Sequence, residues 1–310
     1  MTPPAPLPPS GAQFDLVQGE HHVVVTEVGA ALRLYTFGER PVVDGFGVDE
    51  MASGGRGQAL LPWPNRIDGG RYSFRGTALR LPLTEPERGN AIHGLTRWTN
   101  WKTADHDQAT VMLSHVLHPQ PGYPFTLALT IEYALSASGL AVTTTATNRG
   151  VTALPFGSGF HPYLTVGTDR VDEAVLEVPA GTFRESDERG IPTGALRSVA
   201  ETEFDFRIPR PVGSTVIDTC FTDLEPDPDH LTRVRLSRPD GAAAVTVWAD
   251  QAHGELLVFT GDTLQPARRR RSLAIEPMTC PPNAFASDDL GITVLEPDES
   301  VAFRWGITPW

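Results

Sequence analysis

Short apolar runs, alternating or continuous, recur from one end of the chain to the other. In order they are HHVVVTEV, ALRLYTF, TVMLSHVL, TLALTIEYAL and LAVTTTATN, then EAVLEVP, RVRLSR, AVTVWAD, ELLVFTG, LAIEP and VAFRWGI. They are rich in β-branched and aromatic residues and bounded by Gly, Pro, Asn and Asp, which is a strand signature. Two of them read as hairpins: ALSASGLAV with its turn at Ser138-Gly139, and LSRPDGAAAVTV with its turn at Asp240-Gly241. No long amphipathic helix is predicted. With 28 prolines and 29 glycines as punctuation, the chain reads as all-β, a large antiparallel β-sandwich of two packed sheets. No composition shift, linker or fixed-period repeat divides it. The expected organisation is a flexible Pro-rich lead-in over residues 1–12 and one β-sandwich domain over 13–310.

Charge narrows the partners. A net charge of −13 argues against nucleic acid or an anionic membrane as partner. The basic run Arg268 to Arg271 reads as a solvated loop between strands. No stretch approaches the roughly 20 apolar residues of a membrane span. The start, MTPPAPLPPSGAQ, has neither the basic region nor the apolar run of a secretory signal. Cys220 and Cys280 are the only cysteines and form no C-x-x-C. Free thiols in a reducing, cytoplasmic setting are expected.

Five stretches set an ionisable residue beside Gly or Pro, or at the edge of an apolar run. LLPWPNRIDGGRY carries Arg66, GNAIHGL carries His93 and FGSGFHPYL carries His161; LAIEPMTCPPNAF carries Glu276 and STVIDTCF carries Asp218. Taken singly, each has a structural explanation. A lone histidine in a β protein is most often structural or at the surface. Arg66 could pin a turn. Alternation puts Leu273 and Ile275 on one face and Ala274 and Glu276 on the other, so Glu276 could face solvent. Alternation does not say whether the face of Asp218 is core or solvent. Trp63 and Trp98 read as core residues rather than sugar platforms. Taken together, the stretches say more. Gly and Pro beside the candidates suit backbone shaped around a ligand, and a residue before proline is held extended. Two histidines, an arginine and two carboxylates suit a polyhydroxylated neutral ligand, and they include an acid and a base.

The ordered set of NRI (65–67), DGGRYSFRG, GNAIHGL (89–95), HPYL (161–164), IDTCF (217–221) and EPMTCPPNAF (276–285) resembles the aldose 1-epimerases, or galactose mutarotases, from about residue 15 to the end. The resemblance implies a galactose mutarotase-like supersandwich acting on a monosaccharide. It implies Glu276 as base, His161 as acid, His93 as support for the sugar, and Arg66 and Asp218 as hydrogen-bonding partners of its hydroxyls. One related branch acts on hexose 6-phosphates, and the NRI…DGGRY pattern is that of the neutral-sugar branch. A non-catalytic sugar-binding protein of the same fold, and a glycosidase using Asp218 and Glu276 as its carboxylate pair, stay open.

Mutarotation opens a cyclic hemiacetal, turns the C1–C2 bond and closes the ring on the other face. It needs one proton taken from the C1 hydroxyl and one given to the ring oxygen. A reusable acid–base pair suffices, so neither metal nor organic cofactor is expected. Ordinary pKa values, about 4.3 for Glu and 6.5 for His, would put both groups in useful states near neutral pH. The small residues beside His161, Gly157 and Gly159, are expected to let a sugar approach closely.

Overall fold

The computed structural model describes residues 7–286 and 291–310. Strands form where the apolar period is cleanest. In Leu127–Ser136 and Gly139–Asn148 buried and less buried positions alternate almost throughout, as the pleat requires. These two pair antiparallel with Ser136 opposite Gly139. The turn is therefore Ala137-Ser138, one residue earlier than the sequence suggested. The second expected hairpin joins Thr232–Ser237 to Ala244–Ala249, and Gly241 N donates to Arg238 O at 3.1 Å in its loop.

Two large sheets dominate, as expected, and smaller sheets accompany them. The nine-stranded sheet runs in the order Arg210–Pro211, Val175–Glu177, Thr232–Ser237, Ala244–Ala249, Ser300–Pro309, Gly139–Asn148, Leu127–Ser136, Thr110–Leu117, Lys102–His106. The six-stranded sheet runs Tyr163–Leu164, Leu273–Met278, Glu255–Phe259, Asp218–Leu224, Ala180–Ser186, Pro192–Ser198. A four-stranded sheet begins at Gln13–Gln18, and three two-stranded ladders complete the set. The pairings in the large sheets are antiparallel. Helix among the described residues is confined to the short 3₁₀ turns Val171–Glu173 and Ala284–Ala286. No helix there is long and apolar enough to cross a membrane.

The six-stranded sheet has two unlike faces. Leu273, Ile275, Leu256, Val258 and Phe221 join a single large core with Leu129, Ile131, Tyr133 and Val142 of the nine-stranded sheet. Each such buried side chain contributes about 1.5–3 kcal/mol. On the other face Cys220, Leu257 and Met278 form a small separate cluster with Phe259 against it. Alternation along the strands dictates the division, and the second face is the floor of a cleft.

Two expectations about loops meet different outcomes. Residues 1–6 of the lead-in lie outside the described residues. Beyond them, Gly11 N donates to Pro8 O at 2.9 Å, Val28 N to Ser10 O at 3.0 Å and Glu27 N to Ala12 O at 2.9 Å, so the chain is fastened before residue 13. The run Arg268 to Arg271 is a loop solvated only in part: Arg269 and Arg271 are exposed, whereas Arg268 and Arg270 are held by carboxylates. Arg268 donates to Asp44 Oδ1 at 3.0 Å. Arg270 donates to Asp172 at 2.8 Å and to Asp262 at 2.9 Å, and it is buried. Asp44 and Asp172, distant in sequence, and Asp262 supply these carboxylates, and the run's local pattern could not reveal them.

Candidate active site

Glu276 and His161 are cross-strand neighbours. Tyr163 pairs with Ala274 and Gly159 bridges to Met278. The same antiparallel register sets His161 opposite Glu276, so both side chains leave on the cleft face. His161 Nε2 lies 3.2 Å from Glu276 Oε1. The angle is not that of a hydrogen bond. Neither Glu276 oxygen, nor His161 Nδ1, has a hydrogen-bond partner among the described residues. Glu276 is 0% exposed, so it is no solvent-facing strand end. A buried carboxyl group without partners is rare and costly in a folded protein, about 1–3 kcal/mol or more.

Burial also removes the ordinary pKa values. It is the main cause pushing the Glu276 carboxyl well above the usual range; the nearby Asp218 charge adds to this, and Arg66 opposes it. Burial, then Arg56 and Arg97, drives the His161 imidazole down to about 3. Burial thus favours the neutral form of each group.

Asp218 begins the strand two places away from that of Glu276. Leu257 lies opposite both Glu276 and Cys220, while Phe259 lies opposite both Ala274 and Asp218. Asp218 and Glu276 thus share the cleft face, one pleat out of step. The short ladder of Arg66–Asp68 with Asn90–Ile92 supplies the opposite wall. Arg66 binds Glu85 through two parallel bonds, Nε to Oε2 at 2.8 Å and Nη2 to Oε1 at 3.0 Å, which leaves Nη1. His93 adopts a left-handed backbone, φ 61°, and its Nδ1 accepts from Asn65 N at 3.2 Å. Burial first, then Arg97 and His161, keeps its ring neutral. A neutral ring that accepts at Nδ1 carries its hydrogen on Nε2.

All five sequence candidates, Arg66, His93, His161, Asp218 and Glu276, line one cleft of about 760 Å³. Arg97, Trp98, Tyr163, Glu85 and the Gly54-Gly55 pair line it too. Trp63 is core, but Trp98 is 55% exposed in the cleft wall, with the Arg97 guanidinium 5.5 Å from its ring centroid. The core reading of Trp98 fails because polar neighbours in sequence and an open cleft surround it. The glycines beside His161 do not clear space for a ligand. A Cβ on Gly157 would lie 2.5 Å from Cys280 Sγ, and one on Gly159 would lie 2.7 Å from Pro64 Cβ. They let buried segments pack. Glu85 stands before Pro86 as Glu276 stands before Pro277, but no apolar run leads into it, and Arg97 has neither Gly nor Pro beside it, so sequence reasoning missed both.

A family model described as aldose 1-epimerase matches residues 13–308. The uncharacterized protein YihR of Escherichia coli K12 is 37% identical over 279 residues, covering 90% of this chain and 87% of its own. A maltose epimerase of Levilactobacillus brevis is 28% identical over 267 residues, covering 79% and 76%. Among solved structures, a GalM/aldose epimerase homologue from C. elegans superposes with a TM-score of 0.87 at 20% identity, covering 96% of this chain and 98% of that one. Galactose 1-epimerase from Lactobacillus acidophilus gives 0.82 at 19% identity, covering 96% and 93%. These likenesses share the fold.

Proposed function

The chain belongs to the aldose 1-epimerase family, and from that premise we propose that it interconverts the α and β anomers of a free hexose by acid–base opening and closing of the ring. One observation carries the reading: a buried His161–Glu276 pair, short of protein hydrogen bonds, sits in a cleft shared with Arg66, His93 and Asp218.

In this reading the pair shares a single proton, which moves from Glu276 to His161 when sugar hydroxyls supply the donors that the carboxylate lacks. Glu276 then takes the O1 proton while His161 protonates the ring oxygen. The C1–O5 bond breaks and O1 becomes a carbonyl oxygen. After rotation about C1–C2, the O5 hydroxyl adds to the other face of C1, returns its proton to His161, and O1 regains one from Glu276. Each half-reaction takes one proton and gives one, so the pair is restored. A positioned proton-transfer group is worth about 10²–10⁴-fold. His93 Nε2 and Arg66 Nη1 donate to hydroxyls and Asp218 accepts from one, which fixes the sugar for the transfer.

Polarimetry or NMR of freshly dissolved single anomers over an aldose panel tests this. Anomer exchange faster than the spontaneous rate is expected for at least one hexose. Sugar binding without acceleration would make this a binding protein instead.

A second reading, action on a hexose 6-phosphate, draws on Arg97. Its Nε is buried without a hydrogen-bond partner among the described residues, and burial lowers its pKa to about 10. An anionic substituent would complete it. Assaying glucose against glucose 6-phosphate separates the two readings.

A further inference from the structure

Arg56 takes no part in the proposed chemistry, yet it is 2% exposed. Its guanidinium carbon lies 4.0 Å from the centroid of the Tyr163 ring. That ring stacks with the His161 imidazole, 4.8 Å between centroids and 18° between planes. The arginine head is clamped: Nη1 donates to Asp44 O at 2.7 Å and to Asp44 Oδ2 at 3.0 Å. The loop that carries Arg56 also grips the histidine's backbone. Gly57 N donates to His161 O at 2.9 Å, and His161 N donates to Gln58 O at 3.1 Å. A side chain on Gly55 would overlap Cδ2 of His161. One short segment, residues 54–58, thus meets the backbone and ring edge of His161 and, through Tyr163, the ring face.

We infer that Arg56 is a positioning residue: acting through Tyr163, it fixes the plane of the His161 ring against Glu276 and sets a permanent positive charge near it. The inference rests on the acid role proposed for His161. An imidazolium formed near that charge gives up its proton more readily, which is what protonating a ring oxygen demands. The groups facing His161 from other elements are Glu276, His93, Tyr163, Arg97 and Arg66. Arg56, Arg97 and Arg66 oppose the imidazolium, and Glu276, 3.2 Å away, favours it only once it has lost its proton. Arginine suits the place because its planar head can lie on an aromatic ring while it donates to a carboxylate.

Two substitutions separate charge from shape. Arg56→Gln keeps a planar head and removes the charge; Arg56→Lys keeps the charge and loses the planar stack. The readouts are the ¹⁵N NMR titration of the His161 ring, assigned by its loss in His161→Asn, and kcat and KM for an aldose across pH. In Arg56→Gln, His161 should titrate about one pH unit higher, and the acid limb of kcat/KM should move with it. In Arg56→Lys the titration should stay in place, while kcat falls about tenfold and KM changes less than about twofold. An unmoved titration in folded Arg56→Gln, or an unchanged kcat in Arg56→Lys, overturns the inference. Should Arg56→Gln not fold, Arg56→Lys decides on kcat alone. The NMR arm needs no turnover. A shifted titration in a chain that accelerates no aldose would reject the epimerase reading, and this inference with it, by a different readout from the one that rejects Arg56 alone.

Discussion

At the residue scale, Glu276 and Asp218 are both carboxylates on the cleft face, yet their surroundings differ. Glu276 is buried, whereas Asp218 is exposed to the cleft. If Glu276 is the only base, Glu276→Gln should cut kcat by about 10²–10⁴, with sugar binding little changed because the amide still hydrogen-bonds. Asp218→Asn should act through binding, by about 1.5–3 kcal/mol for a lost bond to a charged group. Equal, large kcat losses in both, with binding intact, would sink the single-base mechanism and favour a carboxylate pair. The pH profile follows from the same burial. A second proton on the pair is opposed by burial and by Arg56, which holds the acid limb near the value of about 3 reached by His161. Removing the pair's one proton leaves a buried anion near Asp218, so the alkaline limb lies well above the usual carboxylate range. In free enzyme, kcat/KM should therefore stay flat as pH falls through about 6.5, where an ordinary imidazole would titrate. In a measurable His161→Asn enzyme the alkaline fall should vanish; if it persists unchanged, His161 is not the acid. These residues were legible because each stands in a short motif. Arg56 and Arg97 were not, since their meaning comes from a ring or a wall supplied by distant chain.

At the scale of elements, the cleft exists because one sheet buries both faces in different ways. Alternation along Leu273–Met278 was readable, and it correctly separated Leu273 and Ile275 from Ala274 and Glu276. What lay against the second face was not readable, because a cleft and solvent leave the same period in a sequence. Strands were missed for a related reason. Lys102–His106 and Pro192–Ser198 are outermost strands of their sheets and almost wholly exposed, so no apolar alternation marks them. The approach of the His161 segment to its neighbours makes a direct test of packing. Gly159 has Pro64 Cβ at 2.7 Å and Met278 Cγ at 3.3 Å from where a Cβ would stand, while a Cβ on Gly254 would meet nothing within 4 Å. Gly159→Ala should lose about 1–3 kcal/mol by overpacking, and Gly254→Ala should stay within about 0.5 kcal/mol of the parent. Denaturant melts of the two variants check this. Equal stabilities would mean that the segment before His161 yields freely, and a loosely held histidine could not keep its place opposite Glu276.

Across the whole molecule, both thiols are shut in outside the large core that backs the cleft. Cys220 stands on the strand row that passes through Leu257 to Glu276, and its Sγ donates to Glu255 Oε2 at 3.2 Å. Cys280 lies where Gly157 makes room for it. Both are free and buried. Burial pushes the Cys280 thiol up to about 12; burial, then Glu255, raises that of Cys220 well above its ordinary value. Only a thiolate attacks a disulfide reagent, so neither group should react while the six-stranded sheet is closed. The core face of that sheet belongs to one cluster with the nine-stranded sheet, which ties opening of the sheet to loss of the core. Titration with an aromatic disulfide in native buffer should therefore find no fast thiol. Along a urea series both thiols should appear together, in the transition that also removes tertiary structure. A sugar that binds the cleft should shift that transition to higher urea by mass action. One thiol reacting quickly before the transition would show that a part of the cleft floor opens on its own, and the buried, unsatisfied state of the His161–Glu276 pair would then be only one of the forms the cleft takes in solution.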